Sequence, residues 1–236
     1  MKRFVPNYTC KKTEQTGITC LQALMDYAGK AGIYENKIND MSESAKKISK
    51  ELTASSPWKT LIIYDLAALA LSKNYCARII KEKDSHPSDN KNINDYSRKE
   101  REELLKKGLK EEIIVEIEKA LIKELEKNPV MAFMNLNYLY KQNNAGMGWI
   151  IITEYNPKMD EFIIYDPMYY TRLPKTAYWE RMKNTPKKRF ITFKNNYFLK
   201  NWRLTGETKV FFKGDAERTG FMPFIREFLS ISAANT

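Results

Sequence analysis

Apolar positions recur with a helical period through the first half of the chain and gather into short, dense runs in the second. Leu21, Leu24, Met25 and Ala28 fall at i, i+3, i+4 and i+7, a spacing that stacks side chains on one helix face. Thr19, followed by Gln22 three positions later, has capping-box spacing, with the hydroxyl as N-cap and the amide reaching back. The pattern therefore predicts a helix opened by Cys20 and closed by Gly29 and Gly32. A more polar helix is expected over 42–52, with Asn39 and Asp40 as caps. Between Trp58 and Ser72, Leu61, Ile62, Ile63, Leu66, Ala67, Leu69 and Leu71 leave almost no polar side, which predicts a helix buried between other elements. A short strand over 75–80 follows. Residues 82–96, rich in Asp, Asn, Ser and Lys, predict a mobile loop. Helical periodicity returns at Arg98 and strengthens over 111–125, where Ile113, Ile114, Ile117, Leu121 and Leu125 form one face before Asn128-Pro129 stops it.

The second half reads differently. Residues 130–136, 149–155 and 161–165 are short runs rich in Ile, Phe and Tyr, the composition of strands. Asn156-Pro157-Lys158-Met159-Asp160 between two of them predicts a hairpin turn. Further strands are expected over 189–193 and 209–212, and a helix over about 223–231. The order predicts an α+β fold in one domain: a helical N-terminal lobe, about 1–128, packed on an antiparallel sheet, about 129–236.

Length and composition narrow the function classes. A chain of 236 residues, 43% of them hydrophobic, can bury a sizeable core without disulfides. No apolar run approaches a membrane span. Met1-Lys2-Arg3-Phe4-Val5-Pro6 lacks the apolar stretch of a secretory signal, so a cytoplasmic protein is expected. Three cysteines, Cys10, Cys20 and Cys76, are an odd set that leaves at least one free thiol. One histidine and no clustered cysteines supply no metal-ligand set, and no Gly-rich phosphate loop is present, so no cofactor is expected. The net charge of +11 comes from scattered lysines, with short runs at Lys11-Lys12 and Pro186-Lys187-Lys188-Arg189. That distribution suits a solvated surface; nucleic-acid binding stays a minor alternative, since no recognition motif accompanies it.

A thiol in the first turn of a helix feels the positive end of the helix dipole and unpaired backbone N–H groups, which favour the nucleophilic thiolate. Cys20 is thus the candidate nucleophile. The run Val5-Pro6, Gln15 and Cys20-Leu21-Gln22-Ala23-Leu24-Met25-Asp26-Tyr27-Ala28-Gly29 resembles the entry to the peptidase C39-like branch of the papain superfamily. Asp65-Leu66-Ala67, the strand Pro129 to Asn137, and the hairpin formed by Gly148 to Asn156 and Phe162 to Pro167 resemble its later segments. The resemblance covers about residues 4–170 and extends to the guanylyl-cyclase-domain-containing group. It implies a papain-like fold, with Cys20 as nucleophile, a histidine at the position of Gly148, and Asp166 as the carboxylate that orients that histidine. It also implies an oxyanion-hole donor at Gln15 if one residue has been deleted, and otherwise places Cys10 there.

The chain departs from that pattern in ways that bear on chemistry. Glycine at 148 neither accepts a thiol proton nor returns it to a leaving group. The one histidine, His86, lies in the expected loop and in the wrong chain order. Leu21 follows Cys20 where the family generally has glycine. Without a histidine, Asp166 before Pro167 also reads as a turn residue. Trp58, Trp149 and Trp179 read as core or cleft-wall aromatics, with Trp149 and Gly148 as candidates to line a binding groove. The expected function is a degenerate peptidase that binds a peptide or protein segment in its cleft. The alternative is a cysteine-dependent hydrolase or acyltransferase that uses Cys20 with a non-standard base and favours activated acyl substrates.

Overall fold

Strand residues alternate between two faces of a sheet, and here both faces are apolar. In the computed structural model, which describes residues 7–10, 15–29, 38–40, 61–83, 91–141, 147–169, 190–203, 206–210, 218–222 and 226–234, seven strands form one mixed sheet. They are β3 (Tyr75–Glu82), β4 (Lys110–Ile114), β5 (Val130–Asn135), β6 (Met147–Asn156), β7 (Glu161–Tyr165), β8 (Phe190–Lys194) and β11 (Glu227–Ala233), in the order β4-β3-β11-β5-β6-β7-β8. Two small pairs stand beside it: β1 (Asn7–Thr9) parallel to β2 (Ile38–Asp40), and β9 (Gly206–Val210) antiparallel to β10 (Arg218–Met222). The helices are α1 (Thr16–Gly29), α2 (Ile63–Ser72), α3 (Lys91–Lys106), α4 (Ile117–Leu125), α5 (Leu136–Tyr140) and α6 (Asn195–Arg203).

The period-2 rule divides the core in two. Trp149, Ile151, Leu229 and Ile231 face α1 and α2, where they meet Ile18, Leu21, Leu24 and Leu66. Ile150, Ile152 and Phe228 face the opposite way, against Leu121 and Leu125 of α4 and Phe198 and Trp202 of α6. Helices thus cover both faces of the sheet, and β6 is buried continuously from Gly148 to Thr153. A register shift between Ile152 and Glu154 leaves Thr153 out of the ladder, and its hydroxyl donates to the Ile163 carbonyl at 3.0 Å. The extra residue is accommodated with its buried oxygen satisfied.

An α+β architecture is present, but the sheet is mixed and not wholly antiparallel, because β3 and β4 run parallel. Its strands come from both sides of residue 128. The last strand, β11, lies in the interior of the sheet, antiparallel to β3 and to β5. The helix expected over 223–231 is therefore a strand from Glu227 onward; a strand buried on both faces loses its alternation and mimics a buried helix. Residues 110–114, read as part of the helical stretch that runs from Arg98 to Leu125, are strand β4, and α4 starts only at Ile117. Pairing with β3 overrides the apolar period there: Ile113 is 62% exposed, while the Glu111 side chain is 3% exposed.

Helix α3 occupies 91–96, where a loop was expected. The hydroxyl of Tyr96 donates to Asp65 Oδ1 at 2.7 Å, fixing that end of α3 to α2. The helix expected from Trp58 starts at Ile63, where Asp65 Oδ2 accepts the Ile62 N–H at 2.9 Å. The strands expected over 75–80, 130–136, 149–155, 161–165 and 189–193 all appear, with boundaries within two residues of those expected. The 156–160 turn is present, with Asp160 at φ 52° and Asn156 Oδ1 accepting the Lys158 N–H at 3.1 Å. Helices α5 and α6 carry no signal read from the sequence. The helix expected over 42–52, and His86, Trp58 and Trp179, lie outside the described residues.

Candidate functional site

The start of α1 abuts the start of β6, and Trp149 is the residue through which they meet. Gly17 permits the contact: a Cβ there would stand 3.0 Å from Trp149 Cδ1 and 3.4 Å from Leu66 Cδ1. The Trp149 backbone N–H donates to Thr16 Oγ1 at 3.2 Å, and its indole N–H donates to the Leu61 carbonyl at 3.1 Å. Its own carbonyl accepts the Cys20 thiol at 3.4 Å. Phe133 of β5 closes the other side, with ring centroids 5.4 Å apart. Trp149 is 2% exposed. Its indole therefore fills the interior, a correction to the expectation that it lines a groove.

The helix starts one turn earlier than its spacing suggested. Residue 16 is its first residue, and Thr19 is no N-cap: its hydroxyl donates back to the Gln15 carbonyl at 2.8 Å, an i to i−4 bond made inside a helix. Cys20 consequently sits in the second turn, at 0% exposure, its face turned to the sheet. A buried thiol among apolar groups, donating to a carbonyl, has the surroundings of a structural cysteine. Gln15 lies half-buried directly before α1. The first-turn position, where backbone N–H groups are unpaired by the helix itself, belongs to Thr16, also at 0% exposure. Sequence reasoning missed Thr16. The adjacent pair Thr16-Gly17, a small hydroxyl before a residue without Cβ, was the available signal.

Gly148 is buried in β6 and stands opposite Met134 of β5. Asp166, just past the end of β7, has 0% exposure. Its Oδ2 accepts the Tyr140 hydroxyl at 2.9 Å and its Oδ1 accepts the Met168 N–H at 2.8 Å. The second bond is an Asx turn, the structural role that Asp-Pro offered. The Cys10 N–H reaches the Pro167 carbonyl at 3.4 Å, tying the chain after β1 to the same turn. The structure thus brings Thr16, Cys20, Gly148 and Trp149 together and sets Asp166 at the end of the neighbouring strand.

Titratable side chains gather elsewhere. Lys81 of β3 donates to the Tyr64 hydroxyl at 2.8 Å and lies 3.5 Å from Glu227 and 3.8 Å from Glu111. Tyr64 in turn donates to Glu111 at 2.7 Å, and Arg101 pairs with the same carboxylate. Burial, then the bond to Glu111, holds the Tyr64 phenol well above its usual range, and burial likewise raises the Glu227 carboxyl against the pull of Lys81. Strand order puts Lys81 on β3 and Glu111 on β4 three and four strand spacings from β6, roughly 14–19 Å, and Glu227 on β11 two spacings away, roughly 9–10 Å.

Among the described residues no group of three or more His, Cys, Asp or Glu side chains is arranged to hold a metal ion, and no helix is long and apolar enough to cross a membrane. No protein-family model matches the chain, and no curated protein sequence matches it.

Proposed function

We propose that this chain is a C39-like protein of papain type that has given up thiol catalysis and binds a peptide or protein segment at the cleft its relatives use for chemistry. The observation that carries this reading is the state of Cys20, wholly buried with its thiol on the Trp149 carbonyl. A nucleophile must present its sulfur to a substrate carbonyl. This sulfur faces the sheet. Moving the nucleophile position one turn back to Thr16 improves the resemblance, because Gly17 then supplies the glycine that follows the family nucleophile. On that alignment threonine replaces the thiol and Gly148 replaces the histidine, so only Asp166 of the catalytic set persists, held by Tyr140 and the Met168 N–H.

The competing reading, an acyl-transferring thiol enzyme, needs a reactive Cys20. Iodoacetamide labelling of the folded chain, resolved by peptide mapping, separates the two. The exposed Cys76 is expected to alkylate and Cys20 to be spared until the chain is unfolded. Rapid alkylation of Cys20 in the folded protein well below about pH 8.5, the range of an ordinary thiol, would overturn the proposal and restore the enzyme. The binding half is tested by selecting a displayed peptide library on the folded chain. Recovery of sequences whose capture soluble peptide competes away supports it; a selection that enriches nothing sinks it.

A further inference from the structure

Strand β4 ends the seven-stranded sheet, and among the described residues it pairs on one side only, with β3. An unpaired strand edge presents a row of backbone donors and acceptors, which proteins ordinarily guard with charge, bulges or brevity. This edge is short and charged over Lys110, Glu111 and Glu112, but exposed apolar side chains gather at its C-terminal end and beside it. Three of the four exposed large apolar residues described lie here: Ile113 at 62%, Val115 at 69% and, at the end of the preceding helix α3, Leu105 at 38%. The fourth, Met159, is in the β6–β7 turn.

We propose that β4 pairs antiparallel with β4 of a second copy of this chain, about a two-fold axis at Ile113, so that the two sheets become one continuous sheet. The order of residues selects both the partner and the register. An axis at Glu112 sets that carboxylate against its own copy, and an axis between Glu111 and Glu112 also opposes like charges, each unfavourable for directly facing strand residues. An axis at Ile113 sets isoleucine against isoleucine. It also places Lys110 opposite Glu116 of the partner subunit, twice by symmetry. Lys110 has no ion-pair partner among the described residues, and Glu116 holds only an exposed contact to Lys119 three residues on, which is readily exchanged. Apolar centre and charged flanks thus both fit a second copy of the same strand.

Sedimentation velocity of the full chain over a dilution series tests this. The expected result is a reversible monomer–dimer equilibrium. Lys110→Glu and Glu116→Lys should each weaken the dimer about tenfold, since each turns two attractions into two repulsions. Mixing the two single variants restores both pairs in a heterodimer, and the double variant restores them in a homodimer. Ile113→Lys should abolish association while leaving the melting temperature unchanged, the side chain being mostly in solvent. A chain that stays monomeric at every concentration overturns the proposal, as does a dimer indifferent to Ile113→Lys or a mixture of the single variants that fails to recover affinity.

Discussion

Two regions of one core cluster, both touching α2, solve the problem of buried polar groups in opposite ways. Where α1 meets β6, Trp149 is held by neutral partners: its N–H by Thr16, its carbonyl by the Cys20 thiol, its indole by Leu61. Where α2 and α3 meet β3, β4 and β11, the partners are two carboxylates, an ammonium, a guanidinium and a phenol. Neutral groups hydrogen-bonded in a dry site keep their state across ordinary pH, whereas buried charges depend on one another. The comparison places the buried charged groups toward the β4 side of the sheet and the neutral ones at β6.

The comparison breaks most visibly if Trp149 is dispensable. Trp149→Ala removes a large buried side chain and leaves the Leu61 carbonyl without the indole, so destabilisation of about 3–5 kcal/mol is expected in urea unfolding. Trp149→Phe, which keeps most of the volume, should lose markedly less. Equal losses would mean that packing around the indole is not what joins α1 to β6.

Lys81→Met asks the same of the charged region. It leaves Glu111 and Glu227 buried beside one remaining cation, Arg101, at a cost of roughly 3 kcal/mol near neutral pH. The sign of its pH dependence is diagnostic. Glu227 already has a raised folded pKa through burial, so it binds protons more readily folded than unfolded, and loss of Lys81 raises it further. Stability of the variant relative to the parent should therefore recover as pH falls from neutral toward the carboxylate range. A deficit that stays constant with pH would show that Lys81 acts through its hydrocarbon stem and not its charge.

A smaller effect is expected at the alkaline end. Burial raises Tyr64 and Tyr96 above the usual phenol value of 10.0, helped by their bonds to Glu111 and Asp65 respectively. A phenol with a raised folded pKa keeps its proton when the unfolded chain has lost its own, so its contribution is fully present below about pH 10 and declines as pH rises beyond it. Absorbance at the phenolate band should show these two tyrosines ionising late, together with unfolding, and Tyr64→Phe should flatten the alkaline loss of stability. Early ionisation of both without unfolding would argue that the network is open to solvent.

How much of this was legible in the sequence depends on what each signal reports. Strands β5, β6 and β7 were readable because their apolar runs are short and separated by Pro, Gly and Asn, and the chain between β6 and β7 admits only a tight turn. Strands β4 and β11 were not, for one physical reason seen from two sides. Ile113 is apolar yet exposed and Glu111 is charged yet buried, so the period at β4 pointed the wrong way. In β11, Phe228, Leu229 and Ile231 are buried on both faces, so no period remained to read. The start of α1 was placed one helical turn too late. Capping-box spacing at Thr19 drew the start of α1 toward Cys20 and outweighed the weaker local signal of Thr16-Gly17, while the bond from Trp149 that fixes Thr16 comes from a long way along the chain. Long-range partners decide such boundaries, and a single sequence does not display them.

The smallest expected effect bears most directly on function. Cys20→Ala removes one buried sulfur that fills space and donates to the Trp149 carbonyl, so a loss of about 1 kcal/mol is expected, the scale of a methyl-sized cavity. Cys20→Ser keeps a donor for that carbonyl but places a hydroxyl in an apolar pocket, and should cost a similar amount. Any peptide captured by the parent chain should be captured equally by both variants, because Cys20 is wholly buried. If either variant instead loses binding or a turnover activity while its unfolding curve shifts only slightly, Cys20 contacts the ligand, the resting position of α1 is not its working one, and the thiol chemistry discounted above returns as the better account of the site.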